Sequence, residues 1–100
     1  MKGYVSSALG VPVHVQNIVV RDYCRRHGMD YELSEVENLK GRAILDRLLA
    51  VRTPGIVAYS LIQFTDEMLA SVHCELHFAV EDMRLDPDTP TLLKLKAVLG

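Results

Sequence analysis

Residues 55–60 read GIVAYS, and the apolar run inside this stretch is the feature that most constrains the fold. The stretch follows a Thr-Pro-Gly break, and Ile56 to Ala58 offer no polar side chain for a solvated face. A strand that is apolar on both sides is typical of a parallel sheet that helices cover on both faces. The stretch therefore predicts a central parallel strand in an α/β domain.

Strand and helix patterns alternate along the rest of the chain. Helices are indicated by apolar residues three and four positions apart, and strands by short alternating or β-favouring runs. We expect Gly28 to end the first helix and Thr65 to cap a short third helix. The predicted strands are Lys2 to Ser6, Tyr31 to Ser34, Gly55 to Ser60 and Glu75 to Val80. The first predicted helix starts at Val13, the second runs from Arg42 to Arg52, the third follows Thr65, and the fourth runs from Thr91 to Leu99. A polar loop is predicted from Glu35 to Gly41.

This order predicts a small, doubly wound, three-layer α/β domain of the flavodoxin-like or resolvase-like kind. Its four-stranded parallel sheet has the order 2-1-3-4, with right-handed crossovers. A length of 100 residues corresponds to a single domain. We expect residues 1–83 to form the core and residues 88–100 to form a C-terminal helix that is a candidate oligomerisation element.

A ligand site is expected where the strand order reverses, at the carboxyl ends of the first and third strands. Ser6 and His14 are the candidate catalytic residues, because a serine nucleophile needs a base within hydrogen-bond reach and histidine can exchange a proton near neutral pH. The candidate substrate-binding residues are Ser7, Gln16, Asn17, Glu35, Tyr59, Ser60 and Gln63.

Each candidate residue also has a structural interpretation. Serines at a strand end often bond the amides of the following turn, and a single histidine at a helix start often serves as a hydrogen-bond partner. The amides of Gln16 and Asn17 either contact sugar hydroxyls or face solvent on the first helical turn. Tyr59 packs in the core under the structural interpretation. Glu35 and Glu37 either lie in a solvated loop or reach the site from the side as a general acid or base.

Charge and composition argue against several classes of partner. The net charge of −2 gives no electrostatic footprint for nucleic acid or an anionic membrane. No apolar run approaches the ~20 residues of a membrane span, and the N-terminal stretch lacks a signal-peptide pattern, so we expect a cytoplasmic protein. Cys24 and Cys74 are then reduced, and no CxxC spacing is present. We expect neither a metal nor another cofactor.

The apolar content points to a subunit interface. Apolar residues make up 49% of this small chain, and small domains cover little of their own surface. Leu92, Leu95 and Leu99 share one face of the predicted C-terminal helix, and a short helix is marginal unless that face is buried. We therefore expect a homo-oligomer.

The blocks GYVSS, VPVHVQNIVVRDYC, GIVAYS and LHFAVED resemble a small family of bacterial proteins found sporadically in gene clusters for cell-surface carbohydrate biosynthesis, such as O-antigen or capsule. The resemblance covers roughly residues 1 to 83. Its most specific part is HVQN followed by RDYC. It implies a protein of surface-glycan biosynthesis that binds or acts on a sugar or sugar nucleotide.

More distantly, the chain resembles the catalytic domain of serine recombinases, or resolvases. The shared features are a first strand that begins GY and ends in serine, a helix that ends in glycine after basic residues, and the apolar third strand. This resemblance implies the parallel sheet. It does not extend to the reaction, because Val5 stands where an arginine is expected and the loop from Ala8 to Val13 has no basic residue.

Three functional classes stay open from the sequence. The first is an enzyme or binding protein that uses the switch-point residues on a sugar or sugar nucleotide. The second is a noncatalytic oligomeric accessory protein that binds a glycan-biosynthesis enzyme through its apolar surface. The third is a degenerate resolvase-like domain. Whether the protein is an enzyme is left undecided by the sequence.

Overall fold

A computed structural model describes residues 1–38, 41–51 and 53–86 of the chain. Strands and helices alternate along it, as the sequence predicts. The predicted C-terminal helix, Thr91 to Leu99, lies outside the described residues. The elements are β1 (Lys2–Ser6), α1 (Val13–Arg26), β2 (Ser34–Glu37), α2 (Ala43–Ala50), β3 (Gly55–Ala58), a 3-10 turn (Leu61–Gln63), α3 (Asp66–Ser71), β4 (Glu75–Phe78) and β5 (Met83–Leu85).

The five strands form one mixed sheet in the order β2-β1-β3-β4-β5. Strands β1 to β4 are parallel to one another in the predicted order, and β3 lies at the centre. The α/β class is therefore confirmed. The prediction of a wholly parallel, four-stranded sheet is wrong, because β5 pairs antiparallel with β4.

The fifth strand escapes sequence analysis because it is short and follows β4 through a tight turn. Asp82 in that turn has a φ of 52°, a left-handed conformation that aspartate adopts more readily than most residues. The turn folds the chain back, so that Phe78 pairs with Met83. The fourth strand, predicted to reach Val80, consequently ends at Phe78.

The second strand lies further along the chain than the sequence predicts. The pattern favours Tyr31 to Ser34, whereas β2 spans Ser34–Glu37. Glu35 therefore lies within a strand, and the prediction of a polar loop beginning at Glu35 is wrong. The physical reason is pairing with β1, which overrides local strand propensity at this edge of the sheet.

The register of β2 depends on a glycine in β1. Gly3 pairs with Ser34, and a side chain at position 3 would collide with the Ser34 hydroxyl. That hydroxyl lies 2.5 Å from Asn17 Oδ1 and 2.8 Å from the Tyr31 hydroxyl, so moving it away breaks two hydrogen bonds. The absent side chain of Gly3 is therefore what allows the two strands to pair in this register.

Helices cover both faces of the sheet, which gives three layers. From β3, Val57 faces α1, while Ile56 and Ala58 face α2 and α3. Every residue of β3 is buried, as expected for a central parallel strand. The core beside α2 and α3 consists of Tyr4, Leu45, Leu48, Ile56, Ala58, Met68, Leu69, Val72, Leu76, Phe78 and Leu85, and the core beside α1 of Val5, Val20, Tyr23, Cys24, Val57 and Ala79.

The helix ends follow ordinary end signals. The first helix ends before Gly28, which has a φ of 66°, as predicted. The second helix is shorter than predicted and ends at Ala50. Thr65 caps α3, as predicted, by accepting the Met68 amide. Among the described residues, no helix combines the length and the apolar character needed to cross a bilayer.

We expect Gly3→Ala to lower the free energy of unfolding by about 1–3 kcal/mol, the usual cost of overpacking, because the new methyl group would displace the Ser34 hydroxyl. Gly10→Ala is the matched control, since nothing lies within 4 Å of the position that its Cβ would take. The control should change stability by less than ~0.5 kcal/mol. Urea denaturation measures both variants, and equal losses of stability would contradict this account of the register.

Candidate functional site

A crevice of about 510 Å³ opens where the strand order reverses between β1 and β3. We call it the switch crevice. Its walls come from the ends of β1 and β2, the loop after β1, the 3-10 turn, and the starts of α2 and α3. Ligands of α/β domains commonly bind at this position. Its polar lining includes Tyr4, Ser6, Glu37, Arg42, Gln63 and Glu67, and its apolar lining includes Leu9, Ile62 and Met68.

Two of the predicted site residues, Ser6 and Gln63, line the switch crevice. Ser6 is buried at the end of β1, and its Oγ accepts the Ala8 amide at 3.2 Å. Gln63 accepts the Ser60 amide at 2.9 Å through Oε1 and donates to the Tyr4 carbonyl at 3.2 Å through Nε2. Among the described residues, the Ser6 hydroxyl proton and the second Nε2 proton of Gln63 have no acceptor. Both protons can therefore be donated to a ligand.

Glu37 is the residue of the switch crevice with the most hydrogen bonds. Its carboxylate is buried and accepts the Tyr4 hydroxyl at 2.8 Å and the Ile44 and Leu45 amides at 3.1 and 3.3 Å. These amides belong to the first turn of α2. Arg42, the residue before this helix, does not cap it with its side chain. Glu37 thus caps α2 from a neighbouring strand, at the helix end that favours a negative charge.

The Tyr4 hydroxyl is a fixed donor inside the crevice. Burial raises the pKa of Tyr4 far above its usual range, and the hydrogen bond to Glu37 raises it further. Loss of the hydroxyl proton would leave two negative charges side by side in a buried place. Tyr4 therefore orients the Glu37 carboxylate and does not act as a proton acceptor.

Positive and negative groups are not balanced around the switch crevice. The Arg42 guanidinium is paired with Asp46, its Nε lying 3.0 Å from the carboxylate, and it donates to Ser71 Oγ at 2.8 Å. Glu67 is exposed in the first turn of α3. Within the described parts of the chain, the Glu67 carboxylate has no hydrogen bond or ion pair. Among the described residues, the lining therefore carries more uncompensated negative charge than positive charge.

His14 lies apart from the switch crevice. It is exposed in the first turn of α1 and is not part of the crevice lining. The structure therefore does not bring His14 and Ser6 together in one cavity. Their pairing as base and nucleophile stays a prediction.

The amides of Gln16 and Asn17 are used within the fold. Gln16 is fully buried; its Oε1 accepts the Ser6 amide at 3.0 Å, and its Nε2 donates to the Ser6 and Val11 carbonyls at 2.7 and 2.8 Å. These bonds close the loop between β1 and α1. Asn17 accepts the Ser34 hydroxyl and so connects α1 to β2.

Ser7 and Glu35 both use their side chains in contacts near β2. The Ser7 hydroxyl donates to the Glu37 carbonyl at 3.3 Å, and its side chain is exposed. Glu35 forms an ion pair with Arg47 of α2. Neither residue lines the switch crevice.

Ser60 and Tyr59 follow β3, and both contact other parts of the fold. The Ser60 hydroxyl donates to Glu81 Oε2 at 2.7 Å and accepts the Ile62 amide, which caps the 3-10 turn. Tyr59 is half-buried and packs against the core beside α1. The roles of both residues as ligand contacts stay predictions.

A second polar network lies in the core beside α1. The Tyr23 hydroxyl is 2.7 Å from His77 Nδ1, and His77 Nε2 is 2.8 Å from Glu75 Oε1. Because a carboxylate can only accept, a neutral His77 carries its proton on Nε2 and accepts from Tyr23 through Nδ1. Tyr23 and His77 are both buried, so the network satisfies polar groups inside the core and offers no open site. Among the described residues, no group of three or more His, Cys, Asp or Glu side chains is placed to hold a metal ion.

Sequence reasoning missed three polar residues of the switch crevice, namely Tyr4, Arg42 and Glu67. Glu37 was expected to reach the site from a loop after the second strand, whereas the structure places it at the end of β2, where it lines the crevice. The acidic start of α3 is a readable helix signal, but the place of Glu67 in the crevice lining depends on tertiary packing.

In comparisons with known proteins, the chain matches no family model, no curated protein and no solved structure. The fold and the switch crevice therefore define its class: an α/β domain with a polar, partly acidic crevice at the switch point of its sheet.

We expect Glu37→Ala to destabilise the protein by about 2–3 kcal/mol, because it removes a helix cap and leaves the buried Tyr4 hydroxyl without its acceptor. Glu35→Ala is the matched control from the same strand. It removes a partly exposed ion pair with Arg47 and should cost less than ~1 kcal/mol. Thermal and urea denaturation of the two variants test this, and similar losses would show that Glu37 is not the cap of α2.

Proposed function

We propose that the protein binds a sugar, either free or as part of a sugar nucleotide, in the switch crevice, and that it serves cell-surface carbohydrate biosynthesis in the cytoplasm. The observation that carries this proposal is the crevice itself, which combines hydrogen-bonding groups with apolar side chains at the switch point.

The size of the crevice supports a small polar ligand. Its volume of about 510 Å³ lies within the roughly 300–1,000 Å³ that ligand pockets usually have. The 3-10 turn, the start of α3 and the loop after β1 all contribute to its lining. A single sugar unit would be held among these elements.

The lining suits the mixed chemistry of a sugar ring. Hydroxyl groups of a sugar can donate to Glu37 and accept from Ser6 and Gln63. The C–H faces of the ring can lie against Leu9 and Ile62, whose side chains are apolar. The resemblance to carbohydrate-cluster proteins points to the same ligand class, from different evidence.

The test compares two neighbouring serines, one of which lines the switch crevice. Saturation-transfer NMR and calorimetry with methyl glycosides of glucose, galactose and glucosamine, and with UDP-glucose, identify a bound sugar. Ser6→Ala should then weaken binding by about tenfold, as expected for loss of one hydrogen bond of ~1.4 kcal/mol. Ser7→Ala should leave binding unchanged, because Ser7 is outside the lining.

His14→Ala separates the switch crevice from the predicted catalytic histidine in the same experiment. Under the proposal, this exposed residue can be removed without loss of binding or of melting temperature. If His14→Ala abolishes binding while Ser6→Ala does not, the ligand binds at the start of α1 and the crevice proposal fails.

A second candidate function, an oligomeric accessory protein, is favoured by apolar side chains at the surface. Ile18 of α1 is 62% exposed, and Leu33, just before β2, is 48% exposed. An open groove beside α1 is lined by Ile18, Cys24, Met29 and Tyr31 among others. Such a surface suits association with a second copy or with a biosynthetic enzyme.

For this candidate we expect the wild-type protein to be a dimer or larger in light scattering at micromolar concentration, and Ile18→Glu to shift it to a monomer. Val80→Glu is the control, because Val80 is similarly exposed, at 52%, but is not part of the groove beside α1. A monomeric wild-type protein would rule out self-association of the chain through this surface.

A further inference from the structure

Resting on the proposed function, we infer that the switch crevice takes a sugar that carries a free, protonated amino group. This narrows the proposed ligand to a sugar without the diphosphate of a sugar nucleotide. The ligand class is thus an amino sugar, held by the carboxylates of Glu37 and Glu67.

The first observation is a buried carboxylate oxygen that accepts fewer hydrogen bonds than it can. Glu37 is 4% exposed, and its Oε2 accepts the Tyr4 hydroxyl and the Ile44 and Leu45 amides. Its Oε1 accepts only the Ile44 amide, at 3.3 Å, among the described residues. A carboxylate oxygen has room for two hydrogen bonds, so Oε1 can accept a further donor, and Glu37 is part of the crevice lining.

The second observation is a free carboxylate at the entrance of the same crevice. Glu67 lines the crevice from the first turn of α3, and among the described residues it has no cationic partner. An ammonium group is a donor of up to three hydrogen bonds with a positive charge. It can therefore satisfy Glu37 Oε1 and Glu67 in a way that a neutral hydroxyl cannot.

The third observation concerns the cation of the crevice. Arg42 would attract a diphosphate only weakly, because its charge is compensated by Asp46 and its Nε and Nη2 are bonded to Asp46 and Ser71. Phosphate oxygens would also have to approach two carboxylates, and like charges repel at close range. The described part of the lining thus favours a cation over an anion.

The experiment uses the whole chain and three matched probes, methyl glucosaminide, methyl glucoside and UDP-glucose, at low ionic strength. Calorimetry should show methyl glucosaminide binding several-fold more tightly than methyl glucoside, and UDP-glucose more weakly than either. Glu67→Gln should reduce the preference for the amino sugar by about two- to fivefold, the range for a solvent-exposed ion pair.

Asp66→Asn is the control variant. Asp66 is an exposed acid in the same turn of α3 but is not part of the crevice lining, so its removal changes the net charge equally. The control should keep the preference for methyl glucosaminide. An equal loss of preference in both variants would mean a general field effect and would overturn the inference.

The outcomes also separate this inference from the proposed function. Equal binding of methyl glucoside and methyl glucosaminide, or tighter binding of UDP-glucose, overturns the amino-sugar inference and leaves sugar binding standing. Failure of all three probes to bind overturns the inference, and if the galactoside also fails it overturns the proposed function.

Discussion

One buried carboxylate connects the elements at the switch end of the fold. Glu37 accepts hydrogen bonds from β1 through Tyr4 and from the first turn of α2, and its backbone carbonyl accepts the Ser7 amide at 2.9 Å. Burial of a carboxylate is unfavourable unless donors replace water, and these donors do so. The edge strand β2, which has a single neighbour in the sheet, is thereby anchored to a strand, a loop and a helix.

The parts of the fold that sequence alone predicts are those with a local physical cause. The apolar run in β3 can only be satisfied by helices on both faces, and this determines its central place. Gly28 and Thr65 mark helix ends because a left-handed residue and a hydroxyl cap act within one turn of the chain. None of these signals needs knowledge of a distant residue.

The parts that sequence alone misses depend on contacts between distant residues. The register of β2 follows from Gly3, about thirty positions earlier, where space for the Ser34 hydroxyl outweighs local propensity. Gln16 shows that sequence is limited in the same way for the candidate site. A polar amide at a helix start looks equally suitable for a ligand or for a loop, and only the Ser6 backbone beside it shows that the loop uses it. Sequence alone finds Ser6 and Gln63 in the crevice lining and misses Tyr4, Arg42 and Glu67 for the same reason.

Glu37 lies both in the crevice and at the end of α2. The crevice lining therefore has one residue that the fold needs and others that can be substituted freely. A change at Glu37 acts on the fold before it acts on any ligand. Ile62 and Glu67 are exposed at the rim, so substitutions there affect a ligand with little effect on stability. New ligand preferences can therefore arise by mutation at the rim alone, and this scaffold is restricted to ligands that tolerate a carboxylate at the base of the site.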